Sequence, residues 1–213
     1  MNGSKSPPRV LKQYQSKRDF KVTAEPKGSK PAPAHSASPL LYVIQKHQAS
    51  HLHYDFRLEW AGVLVSWAVP KGPSLNPAVK RLATHVEDHP LEYGGFEGVI
   101  PEGEYGGGTV MLWDRGTWTP EDPDVEAALR KGELKFTLNG KKLKGSWVLV
   151  RTKLGGSTKP QWLLIKHRDR FASTRDILLE KPRSVASNSL LAEIARDHQG
   201  NVAKAAKGDP PES

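Results

Sequence analysis

The chain contains no cysteine, which removes disulfides, thiolate nucleophiles and cysteine-ligated zinc together. No apolar run approaches the roughly 18 residues of a membrane span, and the N-terminus lacks the apolar core of a signal peptide, so the expectation is a soluble, cytoplasmic protein with no membrane partner. There is no Walker-type Gly-x-x-x-x-Gly-Lys-Ser/Thr and no dinucleotide fingerprint, which argues against nucleotide hydrolysis of those kinds. Apolar residues are few for a wholly folded chain: 37% of 213 residues, with a mean hydropathy of −0.58, so part of the length is expected to be unfolded. Helical periodicity is scarce, and no internal repeat is visible.

What is present is unevenly placed charge. Of the net +9, residues 1–38 carry +6 and residues 39–182 carry +3, while residues 183–213 are neutral. A basic arm of this kind either contacts a phosphate backbone, with affinity falling steeply with salt, or serves as a solubilising tail. Composition alone leaves both readings open.

The chemistry concentrates in Gln45-Lys46-His47-Gln48-Ala49-Ser50-His51-Leu52-His53-Tyr54-Asp55-Phe56-Arg57-Leu58-Glu59. Side chains alternate between the two faces of a strand. His51, His53, Asp55 and Arg57 would then share one face, and Leu52, Tyr54, Phe56 and Leu58 the other. The second is a core face. The first is unlike a solvent face, which carries Thr, Lys and Glu. A lone strand histidine more often satisfies a local hydrogen bond than holds a ligand. Here two imidazoles and a carboxylate suit a divalent metal, and the adjacent guanidinium suits a phosphate. Leu40–Gln45 reads as a strand leading in. A short link at Gln48-Ala49-Ser50 folds the chain back, so that His47 stands beside His53 and Asp55 as a third ligand from a neighbouring strand.

From Leu40 the pattern is β. Expected strands are Leu41–Lys46, Leu52–Trp60, Val63–Val69, Ala83–Glu87, Gly108–Trp113, Leu134–Leu138, Lys144–Arg151 and Gln161–His167, with turn signals at Ala61-Gly62 and Asn139-Gly140. Two short helices are expected, Asp124–Lys131 and Ser173–Glu180. Many short strands and few helices predict an all-β fold, a single β-barrel over 39–182 with the His/Asp/Arg face on an inner or concave surface. Residues 1–38 are expected to be a basic, largely flexible arm with a docking segment near 14–26. Residues 183–213 read as a flexible tail or linker, although Leu190–Arg196 has the pattern for a helical turn or two.

Other polar constellations lie downstream. Lys71, between Pro70 and Pro73 at a strand end, is a candidate point charge for a phosphate, against the plainer reading of a solvated lysine. Arg81, His85 and Glu87 alternate onto one side, and His89 precedes a proline where the chain leaves the strand. Leu91–Gly108 contains seven glycines and four acids. Its acids argue against a phosphate lying across it, so a shaping role is expected, with Tyr93 the residue that reaches the site.

Taken in order, Lys17-Arg18-Asp19-Phe20 with Glu25-Pro26, Gln45-Lys46-His47 with Leu52–Glu59, Val69-Pro70-Lys71-Gly72-Pro73, Glu87–Tyr93 and Glu97–Pro101 resemble the 3′-phosphoesterase domain of the bacterial ATP-dependent DNA ligase D proteins of non-homologous end joining, and its stand-alone relatives. The resemblance runs from about Tyr14 to Lys181. It implies a β-barrel enzyme that removes 3′-terminal ribonucleotides and then 3′-phosphates from DNA primer-template ends, leaving 3′-hydroxyls. Manganese, or another divalent transition metal, is the implied cofactor. Ligase and polymerase modules of the same pathway are the implied partners. Carried over by position, His47, His53 and Asp55 become metal ligands. Arg57 and His89 become contacts to the scissile phosphate, with Tyr93 nearby. Gln45, Lys71, Arg81, Arg18, Asp19 and Glu25 match further functional positions. His51 is outside the family pattern.

The chemistry of the residues is compatible with this. A cation with Arg57 would stabilise charge building on phosphoryl oxygens, and His89 is a candidate general acid or transition-state donor. Whether a ribose 2′-hydroxyl is nucleophile or orienting group stays open. Two rivals remain at this stage. A cupin-type oxygenase also uses His-x-His and a carboxylate on a barrel, but Glu59 follows His53 at a longer spacing. A non-catalytic nucleic-acid-binding barrel would use the basic arm and the six tryptophans as stacking platforms, although most of those tryptophans fall in strand-like runs.

Overall fold

In the computed structural model, which describes residues 11–28, 39–153 and 158–211, the period-two pattern becomes a sheet of nine strands. They are β1 (Leu40–Gln48), β2 (Leu52–Trp60), β3 (Val63–Val69), β4 (Lys80–His85), β5 (Gly98–Ile100), β6 (Gly108–Pro120), β7 (Glu133–Gly140), β8 (Lys144–Thr152) and β9 (Gln161–Lys166). The order is β1-β2-β3-β4-β9-β8-β7-β6-β5, every pairing is antiparallel, and β1 also pairs with β6. That last pairing closes an eight-stranded barrel, with β5 added along β6. Closure leaves the ring with no open sheet edge.

Aromatic rings fill the interior. Phe56 of β2 lies 5.7 Å from Phe136 of β7, although β1 and β6 separate those strands in the ring. The two can meet only across the inside. Tyr54 meets Trp113 at 5.8 Å, and Trp67, Trp113 and Trp147 are fully buried. With Tyr54, Phe56 and Leu58 claiming the interior, the strand period sends His53, Asp55 and Arg57 outward. Of the expected inner or concave placements the inner one is corrected: the polar face lies outside the barrel wall, lining a cleft, because the interior is already packed.

That outer face is nonetheless buried, since two segments cover it. Residues 11–28 lie over it with helix α1 (Lys12–Gln15), whose Tyr14 has no exposed surface. The chain after β4 covers it from the other side and includes a 3₁₀ turn at Leu91–Gly95. Strand β4 ends at His85, short of the expected Glu87, because the ladder to β3 shifts register there while the chain runs on along it. Val86 N–H donates to the Ser66 carbonyl at 3.0 Å, and His89 and Leu64 exchange backbone bonds of 3.0 and 2.8 Å. The expected flexibility at residues 1–10 and 29–38 falls outside the described residues.

Helix α2 (Val125–Lys131) starts where the sequence indicates: the Asp124 carboxylate accepts from Ala127 N–H at 2.9 Å, and Gly132 at φ 90° ends it. Helix α3 (Ile177–Glu180) starts later than the expected Ser173, because Asp176 is its cap.

Residues 183–211 differ from the expected tail. Lys181 and Arg183 carbonyls accept from the Lys142 ammonium, Trp113 Nε1 donates to the Lys181 carbonyl at 2.8 Å, and Val185 N–H donates to the Leu112 carbonyl at 2.9 Å. Helices α4 (Leu191–Asp197) and α5 (Val202–Ala206) follow, burying Leu191, Ile194, Ala195 and Ala205. The Asp209 carboxylate accepts from the first amides of α4, Leu191 and Ala192, both at 2.9 Å. The docking is tertiary: a cap eighteen residues from the helix it serves leaves no local signal. Leu191→Ala should therefore lower stability by about 3 kcal/mol, read from the midpoint of urea unfolding; an unchanged midpoint would restore the tail reading.

Candidate metal and phosphate site

The register of β1 and β2 assembles the site. His47 faces His53, Gln45 faces Asp55, and Val43 faces Arg57 across the ladder. Metal-binding atoms of His47, His53 and Asp55 all lie within 4.8 Å of one another. His47 Nδ1 and His53 Nε2 each stand 3.7 Å from Asp55 Oδ2. The distal nitrogens are both occupied by backbone carbonyls: His47 Nε2 by Gly106 at 2.8 Å and His53 Nδ1 by His51 at 3.0 Å. Distal N–H groups held on carbonyls fix both tautomers and aim the two lone pairs inward at the carboxylate. This arrangement would suit a histidine pair holding a metal ion.

Electrostatics support the same division. Burial would raise Asp55, but the Arg57 and His53 charges and its histidine hydrogen bonds hold the carboxyl well below the usual range. Burial dominates at His47 and lowers it. At the more exposed His53, the charge and hydrogen bond of Asp55 outweigh burial and raise it.

Arg57 is 1% exposed and held on three sides. Its Nε donates to Gln45 Oε1 at 2.8 Å, Nη1 to Ser66 Oγ at 2.9 Å and Nη2 to Asp55 Oδ2 at 3.1 Å, and the Tyr93 ring lies 4.9 Å from the guanidinium. The amide of Gln45 donates to the Tyr93 and Phe96 carbonyls, both at 2.9 Å, and so ties the 3₁₀ turn to β1. His89 packs between Tyr14 and Tyr93 at 5.0 and 4.9 Å. Its Nδ1 lies 2.9 Å from the Glu87 carbonyl, which requires the proton there, so Nε2 is left as an acceptor 3.5 Å from Arg18 Nη2. Burial, then the Arg57 and Arg18 charges, press His89 well below its ordinary value. Arg18 lies over the Tyr14 ring at 3.8 Å and is held by Glu25 at 2.9 Å, with Glu87 at 3.8 Å. Arg18, His47, His53, Asp55, Arg57, Glu87, His89 and Tyr93 line a cleft of about 300 Å³ that also touches Ser50, Ile100, Tyr105, Gly106 and Lys159.

The comparisons with known proteins decide the lineage. Residues 45–151 match the family model described as the DNA ligase D 3′-phosphoesterase domain. The chain belongs to that family. It is 55% identical over 184 residues to the multifunctional non-homologous end joining protein LigD of Pseudomonas aeruginosa, covering 85% of this chain and 22% of that one. It is also 47% identical to LigD of Mycobacterium tuberculosis over 67% of this chain and 18% of the other, and 42% identical to LigD of Mycolicibacterium smegmatis over 75% and 21%. The chain thus spans about a fifth of the length of these relatives.

Within this 3′-phosphoesterase domain, the cleft is lined by His47, His53, Asp55, Arg57, His89, Tyr93 and Arg18, and Gln45 and Glu25 hold Arg57 and Arg18 in place. Three other sequence candidates stand apart. Asp19 is exposed and shapes a turn, its carboxylate accepting from Lys21 N–H at 3.0 Å. Lys71 is exposed in the turn beyond β3. Arg81 pairs across from Leu164 on the side of β4 that carries the buried Ala83, and does not line the cleft. His51 is not on the metal face, since β2 begins at Leu52; its carbonyl contributes and its side chain is exposed. Glu59 accepts from Leu41 N–H at 2.7 Å, away from the histidines, which removes the carboxylate a cupin site would need from it. Sequence reasoning missed Ser66, which holds Arg57 and lies 3.5 Å from His89 Nδ1. Its signal was available: Ser66 is the one polar residue in the apolar run Val63–Val69. Tyr14 and the Gly106 carbonyl had no such signal.

The suppressed basicity of His89 has a measurable sign. The unfolded chain takes up a proton at about pH 6.5, where the folded imidazole does not, so acidification through that range costs stability. Urea unfolding of the metal-free protein between about pH 7.5 and 5 should show a steeper acid-side loss for the natural chain than for His89→Gln; parallel curves would mean that the folded site accepts the proton freely.

Proposed function

We propose that this cleft heals DNA 3′ ends: it releases a 3′-terminal ribonucleoside, leaving the linking phosphate on the strand, and then hydrolyses that 3′-phosphate to a 3′-hydroxyl for repair by non-homologous end joining. The observation that carries the reading is three inward-facing donors, His47, His53 and Asp55, placed directly beside the buried Arg57 guanidinium. A mixed imidazole and carboxylate set fits manganese or another divalent transition metal. When bound there, such an ion supplies Lewis-acid stabilisation of phosphoryl oxygens.

The remaining chemistry belongs to the chain. A guanidinium offers five N–H donors; Gln45, Ser66 and Asp55 engage three of Arg57's, and the other two suit an anionic oxygen. Because Gln45, Ser66 and Asp55 hold Arg57 before substrate arrives, little reorganisation is needed as charge develops on the phosphoryl group. Arg18 and His89 Nε2 stand together on the same cleft. Burial and the two guanidinium charges keep the imidazole neutral, and a phosphate between Arg18, Arg57 and His89 offsets the charges. His89 then takes up a proton as the phosphate binds and donates Nε2–H to it, which turns an acceptor in the free site into a donor in the complex. Lys71 and Arg81, away from the cleft, suit contacts to the strand beyond the terminal phosphate, and Asp19 suits a turn that places Arg18 and Glu25. The ligase and polymerase modules of the pathway are the proposed partners.

The test is a primer-template ending in a single 3′ ribonucleotide, incubated with manganese and followed to its end group. The natural chain should yield a 3′-phosphate and then a 3′-hydroxyl, and His53→Ala should abolish both steps. Full turnover by His53→Ala in manganese would remove the metal-dependent reading.

A further inference from the structure

Among the Trp, Tyr and Phe side chains Tyr105 has the largest exposure, 44%, and it lines the cleft. The tryptophans are buried or half-buried in the barrel, so none offers its face to a ligand. Tyr105 is also held in place. Lys17 Nζ lies 4.5 Å from the ring centroid and 3.3 Å from its hydroxyl, and Lys17 is itself paired with Glu87 at 3.1 Å. Gly103 and Gly106, at φ +95° and +80°, make the bends that carry the ring, and the Gly106 carbonyl is the one that orients His47. The Arg18 guanidinium stands 5.7 Å from the ring centroid and 3.5 Å from His89 Nε2. The ring thus lines the same cleft as Arg57 and His89 and stands beside Arg18, a span that a single nucleotide can bridge.

We propose that Tyr105 is the stacking platform for a nucleobase, that of the nucleoside whose 3′-oxygen carries the phosphate held by Arg57 and His89. This rests on the reading of the cleft as a 3′-end phosphoesterase. An immobilised ring costs little further ordering on binding, and stacking engages any base because each has a π-face. The subsite thus reads the presence of a base and not its identity, which suits an enzyme that meets ends of every sequence.

A double-mutant cycle tests it. The substrates are two 3′-phosphorylated oligonucleotides, one with an ordinary terminal base and one with an abasic terminal residue. The proteins are the natural chain, Tyr105→Ala and Tyr105→Phe, all in saturating manganese. On the base-bearing end, Tyr105→Ala should raise KM about 10- to 100-fold with little change in kcat, and Tyr105→Phe should stay near the natural chain. Removing the base should raise the natural chain's KM by a similar factor and leave Tyr105→Ala little further to lose, because ring and base remove the same contact. Penalties that multiply would overturn the stacking. So would a Tyr105→Phe defect as large as that of Tyr105→Ala, which would place the effect in the hydroxyl bond to Lys17. Weakened manganese binding by Tyr105→Ala would assign the residue to holding Gly106 instead. No turnover by the natural chain on either end would overturn the reading of the site itself, and this inference with it.

Discussion

A guanidinium with 1% of its surface exposed is the constraint on which the rest depends. Taking that charge out of water costs several kcal/mol unless its hydrogen bonds are met, and at Arg57 they are met by Asp55, Gln45 and Ser66 from three strands. Each partner does a second job. Asp55 also stands between the two histidines, Gln45 also holds the turn that carries Tyr93, and Ser66 also approaches His89. Stability of the wall and geometry of the site are therefore one arrangement. Removing any single partner leaves a buried charge short of a bond.

The covering segments follow from the same constraint. A polar ladder on the outside of a filled barrel would ordinarily stay in water, where its charges are screened. Residues 11–28 and the chain after β4 exclude that water and bring a second guanidinium, Arg18, with carboxylates of its own in Glu25 and Glu87. Tyr14 and Tyr93 supply the apolar walls around His89. The result is a cleft whose cations are individually balanced by buried acids yet oriented toward one empty volume.

The barrel strands were readable from alternation because each strand buries one apolar face, and the period of two survives any tertiary context. β2 matches its expected span Leu52–Trp60 for this reason, and α2 begins at Asp124 because its cap is three residues from the amide it serves. Errors arose where distant partners decide the matter. β4 stops at His85 because Ser66 and Leu64 capture the chain beyond it. Residues 183–211 fold because Lys142 and Leu112 hold Arg183 and Val185 from the barrel and Asp209 caps α4 from eighteen residues away, partnerships that no local pattern reveals.

For the site, the sequence alone determined the donor types and the face they share: His53, Asp55 and Arg57 on one side of a strand, with His47 one hairpin away. Tertiary structure alone decided which side of the barrel wall that face occupies, since only packing shows that Phe56 meets Phe136 inside. It also decided that Lys71 and Arg81 stand off the cleft, that Gly106 lines it, and that the buried Ser66 and Tyr14 pack behind its residues. The physical reason is the range of the interactions. Side-chain alternation is a property of neighbouring residues, whereas the burial of a charge is satisfied by whatever the folded chain brings alongside it.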